Sequence, residues 1–135
     1  MTNSTQLSDC VVDTMAFILH LEKRKLTPWV KSIFKAAESG NITIFVPGIV
    51  MAEILYLSER KRIGLSLQDV AKYLPHFPNF REYPLDLRIV RAASEITDVK
   101  ELHDRLIAAT GRALNIPVMT NDPMIQSSAF VQTIW

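Results

Sequence analysis

The sequence is poor in cysteine, with Cys10 as the only one among 135 residues. An intrachain disulfide and a cysteine-based zinc site are therefore excluded, and a reducing, cytoplasmic environment is expected. The N-terminus has no basic start followed by an apolar run, so we expect no signal peptide. The longest apolar stretch, residues 42–57, is interrupted by Pro47, Gly48 and Glu53, so it predicts no membrane span.

The chain also lacks an excess of charge of either sign. Lys and Arg number 15 against 14 Asp and Glu, a net charge of +1, so any binding of a polyanion must depend on local patches. Neither of the glycine-rich phosphate-binding motifs, GxxxxGK with Ser or Thr and GxGxxG, occurs, which disfavours a nucleotide-binding domain. A receiver-like signalling module also fits poorly, because Asp13 stands alone after the first strand and no lysine follows Lys100.

The length is that of one ordinary domain with a single core. We expect a disordered or loosely packed N-terminus over residues 1–9 and one domain over residues 10–135. The hydrophobic fraction of 48% is high for a soluble domain. Some apolar surface is therefore expected to be covered by a partner, and a homodimer is the first expectation.

Short apolar runs alternate with segments of helical periodicity. Strands are predicted at residues 10–12, 43–46, 117–119 and 130–134, with an edge strand at 79–83. Helices are predicted at residues 28–37, 49–61, 85–96 and 102–114, and from a Ser66 cap to about residue 74. This alternation predicts an α/β fold, a mostly parallel sheet of four or five strands with crossover helices on both faces.

Four carboxylates lie where a predicted strand ends or a predicted helix begins. Asp13 and Asp122 follow strands, Glu53 lies in the first turns of the helix after the second strand, and Asp104 lies in the first turn of its helix. Ligands of open parallel sheets bind beyond the carboxyl ends of the strands, so all four can meet in one crevice. The alternatives are ordinary ones: a helix cap for Asp13, a favourable helix-dipole contact for Asp104 and a turn residue for Asp122.

Carboxylates gathered in one place repel each other unless they are protonated or neutralised by a cation. Mg²⁺ and Mn²⁺ prefer such oxygen ligands, and one or two of these ions can activate water for hydrolysis of a phosphodiester. Glu53 supports a cation most directly, because it interrupts an apolar helical segment where an unpaired charge is costly. The residues therefore predict a metal-dependent hydrolase acting on RNA or DNA.

Three polar residues beside these acids are candidate auxiliary groups. The hydroxyls of Thr14 and Thr120 and the amide of Asn121 can hold a carboxylate or a metal-bound water in place. Each can equally be a turn or capping residue, and for Asn121 that alternative is at least as good.

A basic cluster, Lys23-Arg24-Lys25, is a candidate for contact with an RNA backbone. It follows an early helical segment, indicated by the apolar residues Met15, Phe17, Ile18 and Leu21, and positive charge is favoured at a helix C-terminus in any case. The solvated helix end is therefore the stronger interpretation of these three residues.

The segments VVDTMAFIL, VMAEIL, HDRLIAATG and VMTNDPMI occur in the order and spacing seen in PIN domains. The chain resembles a VapC-type toxin of this family from about residue 11 to its end. The resemblance implies a PIN-like three-layer α/β/α sandwich, a Mg²⁺- or Mn²⁺-dependent endoribonuclease, and an antitoxin that covers the site. A catalytically inactive PIN-like module that binds RNA or protein is the alternative.

By this resemblance, Asp13, Glu53, Asp104 and Asp122 match the four acidic positions that hold the metal and carry catalysis. Arg105 matches a common family position and is a further candidate for nucleic-acid contact. Two departures are small. Glu101 stands where many relatives have Asp and is expected to be a solvated outer residue. Gly111 replaces a common Ala, at a cost of about 1 kcal/mol unless close packing compensates.

Overall fold

A computed structural model describes residues 7–135. Its elements, in chain order, are β1 (Cys10–Val12), α1 (Thr14–Leu21), α2 (Pro28–Glu38), β2 (Ile44–Pro47), α3 (Gly48–Glu59), α4 (Leu67–His76), β3 (Phe80–Tyr83), α5 (Leu87–Glu95), α6 (Leu102–Leu114), β4 (Val118–Met119), α7 (Pro123–Gln126) and β5 (Thr133–Ile134). Most of the N-terminal segment that we expected to be loose, residues 1–6, lies outside the described residues. Leu7, Ser8 and Asp9 are exposed and precede β1 without regular structure.

The five strands form one parallel sheet in the order β3-β2-β1-β4-β5. This confirms the predicted α/β fold and the edge position of β3. The last strand is shorter than predicted, because only Thr133 and Ile134 pair with β4. Phe130 and Val131, which we placed in the strand, instead pack against a helical core.

Apolar side chains form two clusters, which the three-layer α/β/α architecture requires. The larger cluster joins the sheet to α1, α2, α3 and α4, and strand residues such as Val11 and Val46 are fully buried in it. The smaller cluster joins α5, α6 and α7 through residues such as Ile96, Ala109 and Ile125. Crossover helices therefore cover the sheet and leave the carboxyl ends of the strands as the open edge.

Local chemistry sets the helix boundaries. The Thr27 hydroxyl accepts from the backbone N–H of Val30 at the start of α2. Ser66 and Asp69 form a reciprocal capping box at the start of α4, as the sequence predicted. Asn115, in the left-handed conformation, ends α6.

Cys10 is fully buried and free. Burial, followed by the charge of Asp9, raises the pKa of its thiol to about 12, so this residue packs in the core as an unreactive thiol. Within residues 7–135, the longest apolar helices are too short to cross a membrane.

Candidate active site

Asp13 lies directly after β1, at the open edge of the sheet. Its side chain is only 5% exposed. Its Oδ1 accepts a hydrogen bond of 2.8 Å from the backbone N–H of Ala16 and so caps α1. The capping role that the sequence left open is therefore real, and it occupies one carboxylate oxygen.

Asp122 repeats this arrangement after β4. Its Oδ1 accepts from the backbone N–H of Met124 at 2.9 Å and caps α7. Two neighbouring strands of the sheet thus each end in an aspartate whose second oxygen is not needed for the cap.

Glu53 comes to the same edge from the second turn of α3. The hydroxyl of Thr14 donates to its Oε1. Its Oε2 lies 3.7 Å from Nδ1 of His103. One carboxylate oxygen is therefore hydrogen-bonded and the other faces the imidazole, and the side chain is 27% exposed.

Asp104 lies in the first turn of α6, beyond the side chain that caps this helix. Glu101 Oε1 accepts from the backbone N–H of Asp104 at 3.0 Å, and its Oε2 accepts from that of His103 at 3.0 Å. The cap thereby fixes the backbone from which the Asp104 carboxylate projects.

The pKa of Asp13 shows that the acids face one another. This pKa is raised to about 6, first by burial and then by the charges of Asp122 and Glu53, while hydrogen bonds from Thr120 and Ala16 lower it. An anion is therefore disfavoured at this position unless positive charge is nearby.

The pKa of Asp104 is also raised by burial and by neighbouring acids. This pKa is raised to about 7, first by burial and then by the charges of Asp122, Glu101 and Glu53. The four predicted acids, carried by four separate segments, thus form one group in which Asp122 and Glu53 each act on both of the others.

The chemistry of the group fits a hard divalent cation. The side chains offer carboxylate and hydroxyl oxygens, the ligands that Mg²⁺ and Mn²⁺ prefer. Over the described part of the chain, however, no three acidic, histidine or cysteine side chains are already close enough together to enclose an ion. An ion at this edge would therefore be held by one or two of these carboxylates together with water, as is usual for Mg²⁺.

The sequence matches the PIN domain family over residues 10–131. The chain belongs to the PIN domain family. No curated protein matches this PIN domain significantly.

Solved structures share the fold of this PIN domain at low sequence identity. DNA-bound VapBC from Salmonella typhimurium matches with a TM-score of 0.70 and 14% identity, covering 96% of this chain and 98% of that one. VapBC2 from Rickettsia felis, bound to a DNA fragment from its promoter, matches with a TM-score of 0.69 and 16% sequence identity. The match covers 93% of this chain and 97% of that one. A toxin-antitoxin complex from Klebsiella pneumoniae matches with a TM-score of 0.62 and 14% sequence identity. The match covers 93% of this chain and 96% of that one.

Two of the three auxiliary residues contact the acids of this PIN domain. Thr120 is fully buried; its Oγ1 accepts from the backbone N–H of Asp122 at 3.0 Å, and its hydroxyl donates to Asp13. Thr14 is buried and holds Glu53. Asn121 is exposed between Thr120 and Asp122.

The basic candidates lie elsewhere. Lys23, Arg24 and Lys25 are exposed beyond the C-terminus of α1, whereas Asp13 caps its N-terminus. An eight-residue helix separates the two by about 12 Å. Arg105 is partly buried, and its Nε donates to the carbonyl of Ile96 at 2.9 Å, which ties α6 to the segment after α5.

Sequence reasoning missed the part played by Glu101 and His103. Glu101 is exposed, as expected, but it caps α6 and adds to the negative charge around Asp104. His103 lies between Glu53 and Glu101, with Nδ1 3.3 Å from Glu101 Oε2. Glu101, an acid three residues before Asp104, could have been predicted as a helix cap from the sequence. No sequence pattern indicated that His103 would contact Glu53 on α3.

Proposed function

We propose that this PIN domain is a metal-dependent endoribonuclease and the toxin of a type II toxin-antitoxin pair. The observation that carries the proposal is the meeting of four carboxylates from separate segments at the open edge of the sheet, where burial and mutual charge raise the pKa of Asp13 and Asp104. Family membership supports nuclease chemistry at this edge. The reaction class is hydrolysis of an RNA phosphodiester.

In this proposal Asp13, Glu53, Asp104 and Asp122 hold Mg²⁺ or Mn²⁺. A bound ion supplies activation of a water nucleophile and stabilisation of charge on the phosphate. Thr14 orients Glu53, and Thr120 orients Asp13 while binding the backbone of Asp122. Since Asn121 is exposed, its proposed role is limited to a water at the rim.

The proposed partners follow from the structural neighbours. The Klebsiella pneumoniae neighbour is a toxin-antitoxin complex, and the VapBC neighbours were determined with DNA. We therefore propose a small cognate antitoxin that covers the acidic edge, a homodimer of the toxin, and action on RNA in the cytoplasm. Lys23, Arg24 and Lys25 are proposed to contact RNA only where the strand extends well beyond the cleaved bond. Arg105, next to Asp104 in α6, is proposed to contact RNA closer to that bond.

Cleavage of structured RNA by wild-type protein and by Asp104→Asn, with and without Mn²⁺, tests this function. Asp86→Asn is the control for an Asp-to-Asn change at a helix N-terminus, because Asp86 caps α5 outside the acidic group and Asn is an equally good cap. We expect metal-dependent cleavage by wild type and control, and a loss of about 100-fold or more in Asp104→Asn, since even outer residues of metal sites contribute about 10- to 100-fold.

The design also separates the alternative function. Cleavage by Asp104→Asn at the wild-type rate would remove the acidic group from catalysis. RNA binding by the wild type without cleavage, in the presence of Mg²⁺ or Mn²⁺, would instead identify an inactive PIN-like binding module.

A further inference from the structure

A cavity of about 470 Å³ opens between α3 and the first turn of α6. It is lined by Ile49, Ala52, Glu53, Tyr56, Leu57 and His103. The α3 residues recur at spacings of three and four, so one face of this helix forms a continuous wall. This wall is mostly apolar, and the volume of the cavity is in the range of small-ligand pockets. Because Glu53 belongs both to the wall and to the acidic group, the cavity adjoins that group.

Tyr56 gives this cavity an aromatic surface. Its side chain is 52% exposed, although it is large and partly apolar. The guanidinium of Arg60 lies 3.7 Å from the centre of its ring. The guanidinium covers one face of the ring, so a nucleobase can stack on the other face while the cation attracts a phosphate.

His103 connects the cavity to the acidic group. It lines the cavity, is 47% exposed, and lies within 4 Å of both Glu53 and Glu101. A phosphodiester held next to Glu53 would therefore carry one of its adjacent bases to the mouth of the cavity. This continuity favours a base of the substrate as the occupant over a side chain of a protein partner.

We propose that this cavity binds one nucleobase next to the scissile phosphate, with Tyr56 stacking on the base and so holding it against His103, which selects the nucleotide. The proposal rests on the proposed ribonuclease function and deepens it by adding a subsite for sequence selection. Stacking on Tyr56 supplies binding that tolerates any base, and the rim formed by His103 supplies hydrogen-bonding groups that discriminate between bases.

The first test maps cleavage sites in a random RNA pool with wild type, Tyr56→Ala and Tyr56→Phe in the presence of Mn²⁺. Loss of one stacked base corresponds to about a 5- to 150-fold fall in kcat/KM, and we expect Tyr56→Ala to show this fall on the preferred sequence. The variant should also lose the nucleotide preference at one position beside the cleaved bond. Tyr56→Phe keeps the ring and should retain both. Leu55→Ala, also exposed on α3 but outside the cavity, should behave as wild type.

A second test does not depend on cleavage. Wild-type protein is titrated with the four nucleoside 5′-monophosphates and with ribose 5-phosphate, which lacks a base, and binding is followed by NMR. At least one nucleotide should bind more tightly than ribose 5-phosphate, and Tyr56→Ala should remove the difference. This result would support the subsite even if wild type cut no RNA, so failure of the enzyme and failure of the subsite are distinguishable.

Two outcomes would overturn the proposal. One is equal binding of the nucleotides and ribose 5-phosphate to the wild type, which needs no variant to fold. The other is an unchanged cleavage preference in a Tyr56→Ala protein whose thermal unfolding and Mn²⁺ affinity match the wild type. If that variant also bound its antitoxin more weakly, the cavity would belong to the protein interface instead.

Discussion

At the scale of single residues, the two interpretations of Asp13 hold together. One oxygen caps α1, and the carboxylate is nevertheless almost fully buried beside other acids. A cap alone needs no burial, since exposed aspartates cap helices well. The cap therefore does not explain why this carboxylate is buried. Buried carboxylates with a shifted pKa are typical of functional sites.

This burial predicts a pH dependence of stability. The pKa of Asp13 is about 6 in the folded protein against an ordinary 3.8, so the folded state binds the proton more tightly than the unfolded state. In metal-free buffer the free energy of unfolding should therefore fall as pH rises from about 4, near the unfolded pKa, to about 7, just above the folded pKa, with Asp13 contributing up to about 3 kcal/mol. Urea denaturation across this range measures the change.

Asp13→Asn should remove the contribution of Asp13 to that dependence. Asn keeps the cap, so the metal-free variant should be more stable than wild type at pH 8. Asp104, with its pKa raised to about 7, leaves a residual slope. Equal slopes in wild type and Asp13→Asn would contradict the assignment, while Asp86→Asn should retain the wild-type slope.

Gly111 lies inside α6, where helix propensity disfavours glycine but close packing requires it. A Cβ at this position would lie 2.5 Å from Cγ2 of Val118 and 3.1 Å from the carbonyl oxygen of Ile116. The glycine thus lets α6 approach β4 closely, and the close packing that the sequence analysis required is present.

Gly111→Ala should destabilise the protein. Overpacking typically costs about 1–3 kcal/mol, and the better helix propensity of Ala returns about 1 kcal/mol. We expect a net loss of up to about 2 kcal/mol in chemical denaturation. Val118→Ala in the same chain should relieve part of it, so additive losses in the double-mutant cycle would show that the two positions do not clash.

At the scale of elements, local signals predicted most of the fold. The bounds of β1 and α6 agree with their predictions, and the Ser66 cap begins α4 as expected. The four-residue α7 was missed because it is too short to show helical periodicity. The strand order could not be predicted, because pairing depends on tertiary contacts that no single segment encodes.

The Glu101 cap links an element boundary to the site. Glu101→Ala should cost about 1 kcal/mol through the two backbone donors left without their partner. It should also weaken Mn²⁺ binding, measured by calorimetry, because Asp104 projects from the turn that loses its cap. Glu101→Ser, which restores a cap without a charge, separates the cap from the carboxylate.

Ser66→Ala is the matched control for the cap. It removes the same kind of interaction from α4 at a similar cost in stability, but α4 carries none of the four acids. An equal loss of Mn²⁺ affinity in Ser66→Ala and Glu101→Ala would mean that the effect is global destabilisation.

At the scale of the whole molecule, the sequence placed the acids at one edge but could not place their neighbours. Asp13 and Asp122 could be assigned to the edge because both follow strands of a parallel sheet. The contact of His103 with Glu53 joins residues 50 positions apart on two helices, and it depends on how α3 and α6 pack. The same holds for His20, Glu38 and Tyr73, which bond to one another from three helices.

The proposed homodimer is also a property of the whole surface. The high hydrophobic fraction predicted a covered apolar face, and large apolar side chains remain exposed at the start of α5: Leu85 at 46%, Leu87 at 62% and Val90 at 48%. Leu87 and Val90 are three residues apart and share one face of the helix. Clustered exposure of this kind typically marks an interaction surface.

We therefore expect wild-type protein to be a dimer by light scattering and Leu87→Asp/Val90→Asp to be a monomer. Two carboxylates brought into an apolar interface would face their copies, and desolvation together with repulsion opposes association. Both positions are exposed in the single chain, so thermal unfolding of the monomer should change little. Met15→Asp, at an exposed methionine on α1, should remain dimeric. A monomeric wild type across the accessible concentrations would refute the homodimer, whereas a dimeric double variant would place its interface away from α5.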